Sequence, residues 1–248
     1  MMPLKILLIL LLILPAFVRA DAGRTLQLVA TELPPFYGES LSGHGPVAEL
    51  VLEALSRRGY KTELHFYPFI RATALVKAGK ADAIIGLWYR PEREQWAEYS
   101  QPLQKVEIGF LARKESALNY SALSELKQKL IGISRGYANP QAIAANGLHT
   151  EEADSDETNL RKLHLKRLDL IVISRHVGAF LIKRGPEDYQ GQFEFVGEVL
   201  ATEQFHLGVS RALADHEALT RDFNGAIDEM RRDGSMAAIL SKLSTEPD

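Results

Sequence analysis

The stretch "GKADAIIGLWYRPERE", residues 79–94, carries the strongest fold signal in this chain. Its middle part, "ADAIIGLW", is a nearly continuous apolar run, which is typical of a strand covered on both faces of a sheet. The chain then turns at Pro91 into a predicted short helix and places Arg93 just past the carboxyl end of that strand. In open α/β sheets, ligands bind at that end of the strands. The stretch therefore predicts a buried strand followed directly by a candidate ligand contact.

The segments before this stretch alternate between strand and helix patterns. "TLQLVATE" (25–32) and "KTELHFYPF" (61–69) have strand patterns. "PVAELVLEALSRRG" (46–59) has helical spacing with proline near its start and glycine at its end, and "IRATALVKAGK" (70–80) predicts a short helix. Strand, helix, strand, helix, strand is the order of a mostly parallel α/β sheet.

The same alternation restarts further along the chain, which predicts a second α/β unit. Asn139 is the predicted N-cap of one of its helices, with Pro140 at the first helical position. The acidic segment "EEADSDE", residues 151–157, is interpreted as a solvated loop. The predicted strands are 106–114, 130–136, 168–175 and 205–213, and the predicted helices are 121–129, 139–147, 175–185 and one or two within 215–243.

Residues 1–20 have the pattern of a secretory signal peptide. Lys5 precedes an apolar stretch, and small residues at its end predict cleavage between Ala20 and Asp21. We therefore expect an exported, soluble mature protein. The whole chain of 248 residues has a net charge of −3, and loss of Lys5 and Arg19 with the leader leaves −5.

Composition excludes several function classes. A mildly acidic chain without a block of Lys and Arg argues against nucleic acid as a partner. The absence of cysteine excludes disulfides, thiolate chemistry and cysteine-based zinc sites. The seven histidines show no metal-ligand spacing, and no phosphate-binding glycine motif is present. We therefore predict no metal and no cofactor.

The segment "GISRG", residues 132–136, formally matches a hydrolase nucleophile motif. That motif needs its serine on a sharp turn that enters a helix directly. Here Ser134 lies within a predicted strand, and the helix signal comes only at Asn139. The pattern therefore favours an ordinary strand over a hydrolase site.

Arg93 has two interpretations from spacing alone. Its guanidinium presents a fork of donors that suits a carboxylate, and Trp88 and Tyr89 are in place to wall a pocket. Alternatively, Arg93 is a solvated residue at the start of a helix, between Glu92 and Glu94. Spacing alone favours the second interpretation.

The order of motifs along the chain resembles the family 3 periplasmic solute-binding proteins, the extracytoplasmic binding components of amino-acid-type ABC transporters. The resemblance implies two α/β lobes that are joined by two hinge strands and close on a small polar ligand. It implies a first lobe from residues 21–111 and 203–248, and a second lobe from residues 112–202. The motifs are "ELPPFYG", "GHGPVAELVLEAL", "GKADAIIGLWYRPEREQWAEYSQPL", "LIGISRGYANPQ", "RLDLIVISR" and "DGSMAAIL".

The resemblance also implies ligand contacts in the first lobe. In the family, an arginine at the position of Arg93 grips the ligand's α-carboxylate, helped by groups just after the preceding strand, here Gly86 to Trp88. Trp88 and Arg90 stand where small hydroxyl residues are usual. Further contacts fall on Leu33 and Phe36 in the first turn, and on Phe69 opposite.

In the second lobe, the resemblance places a helix start at Gly136, Tyr137 and Ala138, and closure brings Tyr137, Asn139 and Ser174 over the ligand. Many amino-acid binders carry an aspartate at the position of Ser174 to hold the α-ammonium group. Serine brings no charge there, and Glu32 is the candidate substitute.

Three functions follow from the resemblance. The first is a periplasmic protein, monomeric as the family usually is, that captures a small carboxylate-bearing solute for an ABC permease or a membrane sensor. The second is an enzyme on the same scaffold, a dehydratase of prephenate-like acids, with Glu32 or Glu92 as general acid. The third is a sensory or structural module that no longer binds a ligand.

Overall fold

The structure is a computed structural model that describes residues 24–135, 137 and 139–243. The predicted signal peptide, residues 1–20, lies outside these residues, as do the candidate site residues Gly136 and Ala138. Across the described part of the chain, no helix is both long and apolar enough to cross a membrane.

The first lobe is built on the predicted strand–helix alternation. Strand β1 (Thr25–Ala30) lies between β2 (Lys61–Phe66) and β3 (Ala83–Trp88), and it pairs parallel with both. Helices α1 (Pro46–Arg57) and α2 (Phe69–Lys77) form the crossovers between them. The prediction of a mostly parallel α/β unit is confirmed.

Strand β3 is buried on both faces, as its apolar run predicts. Ala83 and Ile85 pack in the core cluster that contains the apolar face of α1. Ile84 and Leu87 pack in the separate cluster that contains Ala72 and Val76 of α2. A strand sandwiched between two helix layers has no solvated face, and this explains why its sequence does not alternate.

Two long strands connect the lobes. Strand β5 (Gln104–Arg113) pairs antiparallel with β9 (Phe193–Ser210), and β9 also pairs with β3 and with the short strand β4 (Ala97–Tyr99). Strand β9 is 18 residues long, whereas the sequence pattern predicts only its last part. The predicted lobe boundaries at 111/112 and 202/203 fall inside β5 and β9, and that division stays a prediction.

The second lobe continues the same sheet beyond β5. Its strands are β6 (Ile131–Ser134), β7 (Thr150–Ala153) and β8 (Leu170–Ser174); β6 pairs parallel with the other two, and β8 pairs antiparallel with β5. The strand order over the described residues is β2-β1-β3-β9-β5-β8-β6-β7. Its helices are α3 (Gln141–Ala145), α4 (Asp156–His164) and α5 (Arg175–Arg184). Two further helices, α6 (His216–Arg232) and α7 (Ser235–Leu240), follow β9 along the chain.

The interpretation of residues 151–157 as a solvated loop is wrong. Glu151 to Ala153 belong to β7, and Ser155 caps α4 by accepting a hydrogen bond from the N–H of Thr158 at 3.1 Å. The buried residues of α4 are spaced as on one helix face: Asp156, Asn159, Leu160 and Leu163. The periodicity is not visible as a pattern of apolar residues in the sequence, because one of the buried positions is an acid, Asp156.

Two predicted helix starts also differ from the structure. Pro91 opens only a 3-10 turn, Pro91–Arg93, which is soon followed by strand β4. Asn139 is not the N-cap of α3, because the helix begins at Gln141 and has no side-chain cap. The side-chain amide of Asn139 donates instead to the carbonyl of Tyr137 at 3.4 Å.

Candidate functional site

A cleft of about 580 Å³ opens between the two lobes, at the carboxyl ends of the parallel strands. Those ends are the expected ligand-binding edge of an open α/β sheet. The first lobe contributes the segments that follow β1 and β2 and the end of β3. The lining residues are Thr31, Glu32, Leu33, Tyr37, Glu39, Phe66, Tyr67, Pro68, Phe69, Ile70, Ile84, Ile85, Gly86, Trp88 and Arg93 from the first lobe, and Arg135, Tyr137, Asp154 and Ser155 from the second.

Arg93 lines this cleft with an unpaired positive charge. Its Nη1 donates to the carbonyl of Trp88 at 2.8 Å, and its guanidinium carbon lies 5.2 Å from the ring centre of Phe69. No carboxylate among the described residues lies within 4.0 Å of its nitrogens. Burial lowers the pKa of Arg93, because the charged form loses water. A half-buried guanidinium with remaining donors is equipped to receive a carboxylate from outside the protein.

Arg90 points its charge elsewhere. Its two terminal nitrogens donate to both carboxylate oxygens of Glu203 on β9, at 3.0 and 2.9 Å. This bidentate pair ties the end of β3 to a strand that connects the lobes. Arg90, which stands where the resemblance implies a small hydroxyl residue, is therefore not among the residues that line the cleft.

Gly86 is fixed by backbone geometry. Its φ of +79° is unfavourable for other residues, and the β3–β9 register shifts between Ile85 and Leu87, which marks a β-bulge. A Cβ at this position would overlap the hydroxyl end of Tyr37. Tyr37 is buried, lines the cleft and has a pKa raised by that burial. Tyr37 carries no sequence signal of its own, although it lies in the same turn as Leu33.

Two predicted contacts lie outside the cleft lining. Phe36 has no exposed surface and packs in the core, with its ring centre 4.9 Å from that of Phe205. Tyr89 is 46% exposed, lies outside the cleft lining, and its hydroxyl donates to Glu94 at 2.9 Å. The backbone N–H groups of Phe36 and Tyr37 both donate to the carbonyl of Leu33, and the turn that these bonds close buries Phe36 in the core and leaves Tyr37 in the cleft lining.

Other predicted contacts do lie at the cleft, where their role in binding stays a prediction. Leu33 and Phe69 are half-buried in its wall. Glu32 is exposed at its edge, and its carboxylate accepts a hydrogen bond from the N–H of Glu39 at 2.9 Å. Tyr137 comes from the second lobe and faces the first across the cleft.

A second cavity, of about 30 Å³, lies beside the cleft and shares Leu33, Trp88 and Tyr137 with it. Two buried polar atoms of its lining have no hydrogen-bond partner among the described residues: Nε1 of Trp88 and Oγ of Ser174. Such atoms are usually satisfied by water or a ligand. The remaining lining residues are Val106, Ile108, Asn139, Pro140, Asp156, Val172, Ile173 and Val177.

Asp156 supplies a buried acid to this small cavity. It is 8% exposed and accepts a short hydrogen bond from the hydroxyl of Ser134, which in turn accepts one from the amide of Asn159 at 3.3 Å. No basic side chain among the described residues forms an ion pair with it. Burial raises the pKa of Asp156 to about 6, and the bond from Ser134 opposes that rise. Sequence patterns gave no sign of this residue beyond its helical spacing with Leu160.

The same contacts bear on the hydrolase motif. Ser134 ends strand β6, is buried, and its hydroxyl donates a hydrogen bond to the carboxylate of Asp156. In the described part of the chain, no histidine is hydrogen-bonded to Ser134. Within those residues, no group of three or more His, Asp or Glu side chains is arranged to hold a metal ion.

Comparison with known proteins agrees with this geometry. Residues 28–246 match the family described as bacterial extracellular solute-binding proteins, family 3. The L-cystine-binding protein TcyJ of Escherichia coli (strain K12) is 22% identical over 227 residues, which cover 90% of this chain and 83% of that protein.

Solved structures show the same fold. A histidine kinase sensor domain with similarity to periplasmic binding proteins has a TM-score of 0.78 at 20% identity, covering 91% of this chain and 98% of that one. The GluR0 ligand-binding core from Nostoc punctiforme, in complex with (L)-glutamate, has a TM-score of 0.74 at 19% identity, covering 88% and 99%. The predicted two-lobed periplasmic-binding-protein fold is confirmed, and the chain belongs to the bacterial extracellular solute-binding proteins, family 3.

Proposed function

We propose that this protein captures a small carboxylate-bearing solute, an amino acid or a close analogue, in the cleft between its two lobes. The observation that carries the proposal is the unpaired, half-buried guanidinium of Arg93 at the carboxyl end of β3. A charge held there without a protein partner is costly unless a ligand completes it. A carboxylate fits the remaining donors of the guanidinium fork.

The relatives support an amino-acid-like ligand. The names of two of them specify L-cystine and (L)-glutamate, both of which carry an α-carboxylate. The cleft of about 580 Å³ has room for a ligand of either size and is walled by Tyr37, Tyr67 and Phe69. This composition, mostly apolar with a few placed polar groups, is typical of small-molecule sites.

The site is better explained by ligand binding without catalysis than by dehydratase activity. Of the two candidate general acids, Glu32 is exposed and already accepts a backbone hydrogen bond, and Glu92 is exposed outside the cleft lining. Neither is held in a desolvated position of the kind that tunes a catalytic acid. The proposal therefore assigns no reaction to this protein.

The destination of the captured solute is the second part of the proposal. The signal-peptide pattern of residues 1–20 and membership of an extracellular family support a periplasmic location for the mature protein. The proposal is that it acts there as a monomer and delivers its ligand to an ABC permease. The likeness to a histidine kinase sensor domain supports a membrane sensor as the second candidate partner.

The central test is a binding screen of the mature protein, residue 21 onward, by thermal shift and titration calorimetry. Probes are the L-amino acids, L-cystine, polyamines and small organic acids. A compound present at a hundredfold excess over its Kd should add about 2.7 kcal/mol to the unfolding free energy. If only compounds without a carboxylate bind, the proposed ligand class is wrong.

The matching variant is Arg93→Ala. We expect it to weaken binding of the best carboxylate probe by about 2–5 kcal/mol, the typical cost of truncating one member of a desolvated charge pair. Arg221→Ala is the control, because the side chain of Arg221 is 70% exposed and, among the described residues, forms an ion pair only with Glu217 on its own helix. Wild-type affinity in Arg93→Ala would overturn the clamp.

A further inference from the structure

Asp156 is an acid placed where a charge is hard to keep. Its side chain is buried at the start of α4, between the end of β6 and the small cavity. The hydroxyl of Ser134 and the N-terminal end of the helix stabilise the carboxylate in part. No cationic side chain among the described residues completes it, so the folded protein holds a buried negative charge that lacks a counter-charge.

The cavity beside Asp156 has the size and position of a ligand subsite. A volume of about 30 Å³ accommodates a group the size of a water molecule or an ammonium group. Leu33, Trp88 and Tyr137 line both this cavity and the cleft where Arg93 lies, so the two spaces are adjacent. A solute anchored at Arg93 would reach the cavity by placing a small group between these three residues.

The polar atoms of the cavity suit a positively charged donor. Oγ of Ser174 is buried, has no partner among the described residues, and can accept an N–H bond. The aromatic side chains of Trp88 and Tyr137 line the same cavity, and aromatic rings attract cations. Apolar neighbours such as Val106 and Val172 lower the local dielectric, which strengthens the attraction between a carboxylate and a cation.

We infer that Asp156, together with Ser174, binds the ammonium group of an α-amino acid whose carboxylate is held by Arg93. The acid comes from the start of α4, and the hydroxyl comes from the end of β8. The inference rests on the proposed function, and it specifies a zwitterionic ligand where Arg93 alone specifies only a carboxylate. Many amino-acid binders carry an aspartate at the position of Ser174, and this inference assigns the role of that aspartate to Asp156 and not to Glu32.

The test measures affinity by calorimetry for each L-amino acid that the wild type binds and for the des-amino carboxylic acid with the same side chain. In Asp156→Asn, affinity for the amino acid should fall about 10- to 150-fold, as for a lost hydrogen bond to a charged group. Affinity for the des-amino acid should change little. Glu157→Gln is the matched control: it removes an exposed charge from the same helix turn, and its affinities should equal those of the wild type.

Other outcomes overturn the inference in distinguishable ways. If Arg93→Ala loses both probe classes while Asp156→Asn keeps both, the carboxylate site stands and the cavity holds only water. If the wild type binds des-amino acids as tightly as amino acids, no ammonium subsite exists. A circular dichroism spectrum of Asp156→Asn that matches the wild type shows that any loss of affinity is not a loss of fold.

Discussion

Replacing Asp156 by asparagine should make the ligand-free protein more stable at neutral pH, although it should weaken ligand binding. The reason is that burial penalises the charged carboxylate and raises its pKa from 3.8 to about 6. Asparagine has nearly the same shape, can accept the hydrogen bond from Ser134, and carries no charge to bury. A residue that costs stability in the free protein and contributes affinity in the complex is a functional residue.

The magnitude follows from the two pKa values. A rise from 3.8 to about 6 corresponds to about 3 kcal/mol of unfavourable free energy for the ionised form. This figure already contains the favourable interaction of the carboxylate with the start of α4, because a pKa reflects every interaction of the ionised form in the folded chain. The expected gain at pH 7 is therefore about 3 kcal/mol, or about 6–12 °C in melting temperature for a chain of this size.

The pH dependence fixes the sign. An acid with a higher pKa in the folded chain than in the unfolded chain binds its proton more tightly when folded. Its contribution to the unfolding free energy therefore falls as pH rises from about 4 to about 6, and is constant above that. Tyr137 also borders this cavity, but burial raises its pKa, so it stays neutral in this range. The stability gain of Asp156→Asn over the wild type should be close to zero near pH 4 and complete by pH 7.

Chemical denaturation of the ligand-free protein at pH 4, 5, 6 and 7 measures this difference. Glu157→Gln should show no comparable gain, because its carboxylate is exposed. Destabilisation of Asp156→Asn by more than about 1 kcal/mol at pH 7 would refute the reasoning, since it would mean that the negative charge strengthens the bond from Ser134 by more than burial of the charge costs.

Two further predictions concern the frame around the cleft. Gly59→Ala should cost about 1–2 kcal/mol of unfolding free energy, because Gly59 has a φ of +81°, while its new methyl group would have no described residue other than its chain neighbours within 4 Å. Gly86→Ala should cost clearly more, because its methyl group must also displace Tyr37. Equal costs of the two variants in chemical denaturation would contradict the overlap with Tyr37. Arg90→Ala should lower the unfolding free energy by about 1–3 kcal/mol, because the side chains of Arg90 and Glu203 are only 26% and 17% exposed and form two hydrogen bonds. A double-mutant cycle with Glu203→Ala that shows no coupling energy would contradict this prediction.

Much of the fold was predictable because local patterns encode it. The apolar run of β3 follows from burial on both faces, and the apolar face of α1 follows from its 3.6-residue spacing. The position of Arg93 past the end of β3 was predictable for the same reason, since the end of a buried strand is visible in the sequence. The length of β9 was not, because its exposed middle part has no strand-like burial pattern and is held by pairing with β5.

The direction of side chains at the site was less predictable. The bulge at Gly86 changes the face of the sheet to which the side chains after it point. The in–out alternation of side chains that is expected along a regular strand therefore fails at this position. Tyr89 therefore bonds Glu94 outside the cleft, while Trp88 reaches both cavities. Phe36, a predicted contact, is buried in the core, and its neighbour Tyr37 lines the cleft, because of the geometry of a single turn.

The sequence by itself determined the order of strands and helices, the position of the arginine after β3, and the family. Only the tertiary structure decided that Arg93 is unpaired and that Asp156 is buried beside Ser134 and close to Ser174. The physical reason is that pairing and desolvation of a charge depend on residues distant in sequence, such as the 22 positions that separate Ser134 from Asp156. From the sequence alone, the carboxylate of Asp156 is expected to be solvated because it lies in an acidic segment. Only the packing of α4 on β6 makes it a buried charge.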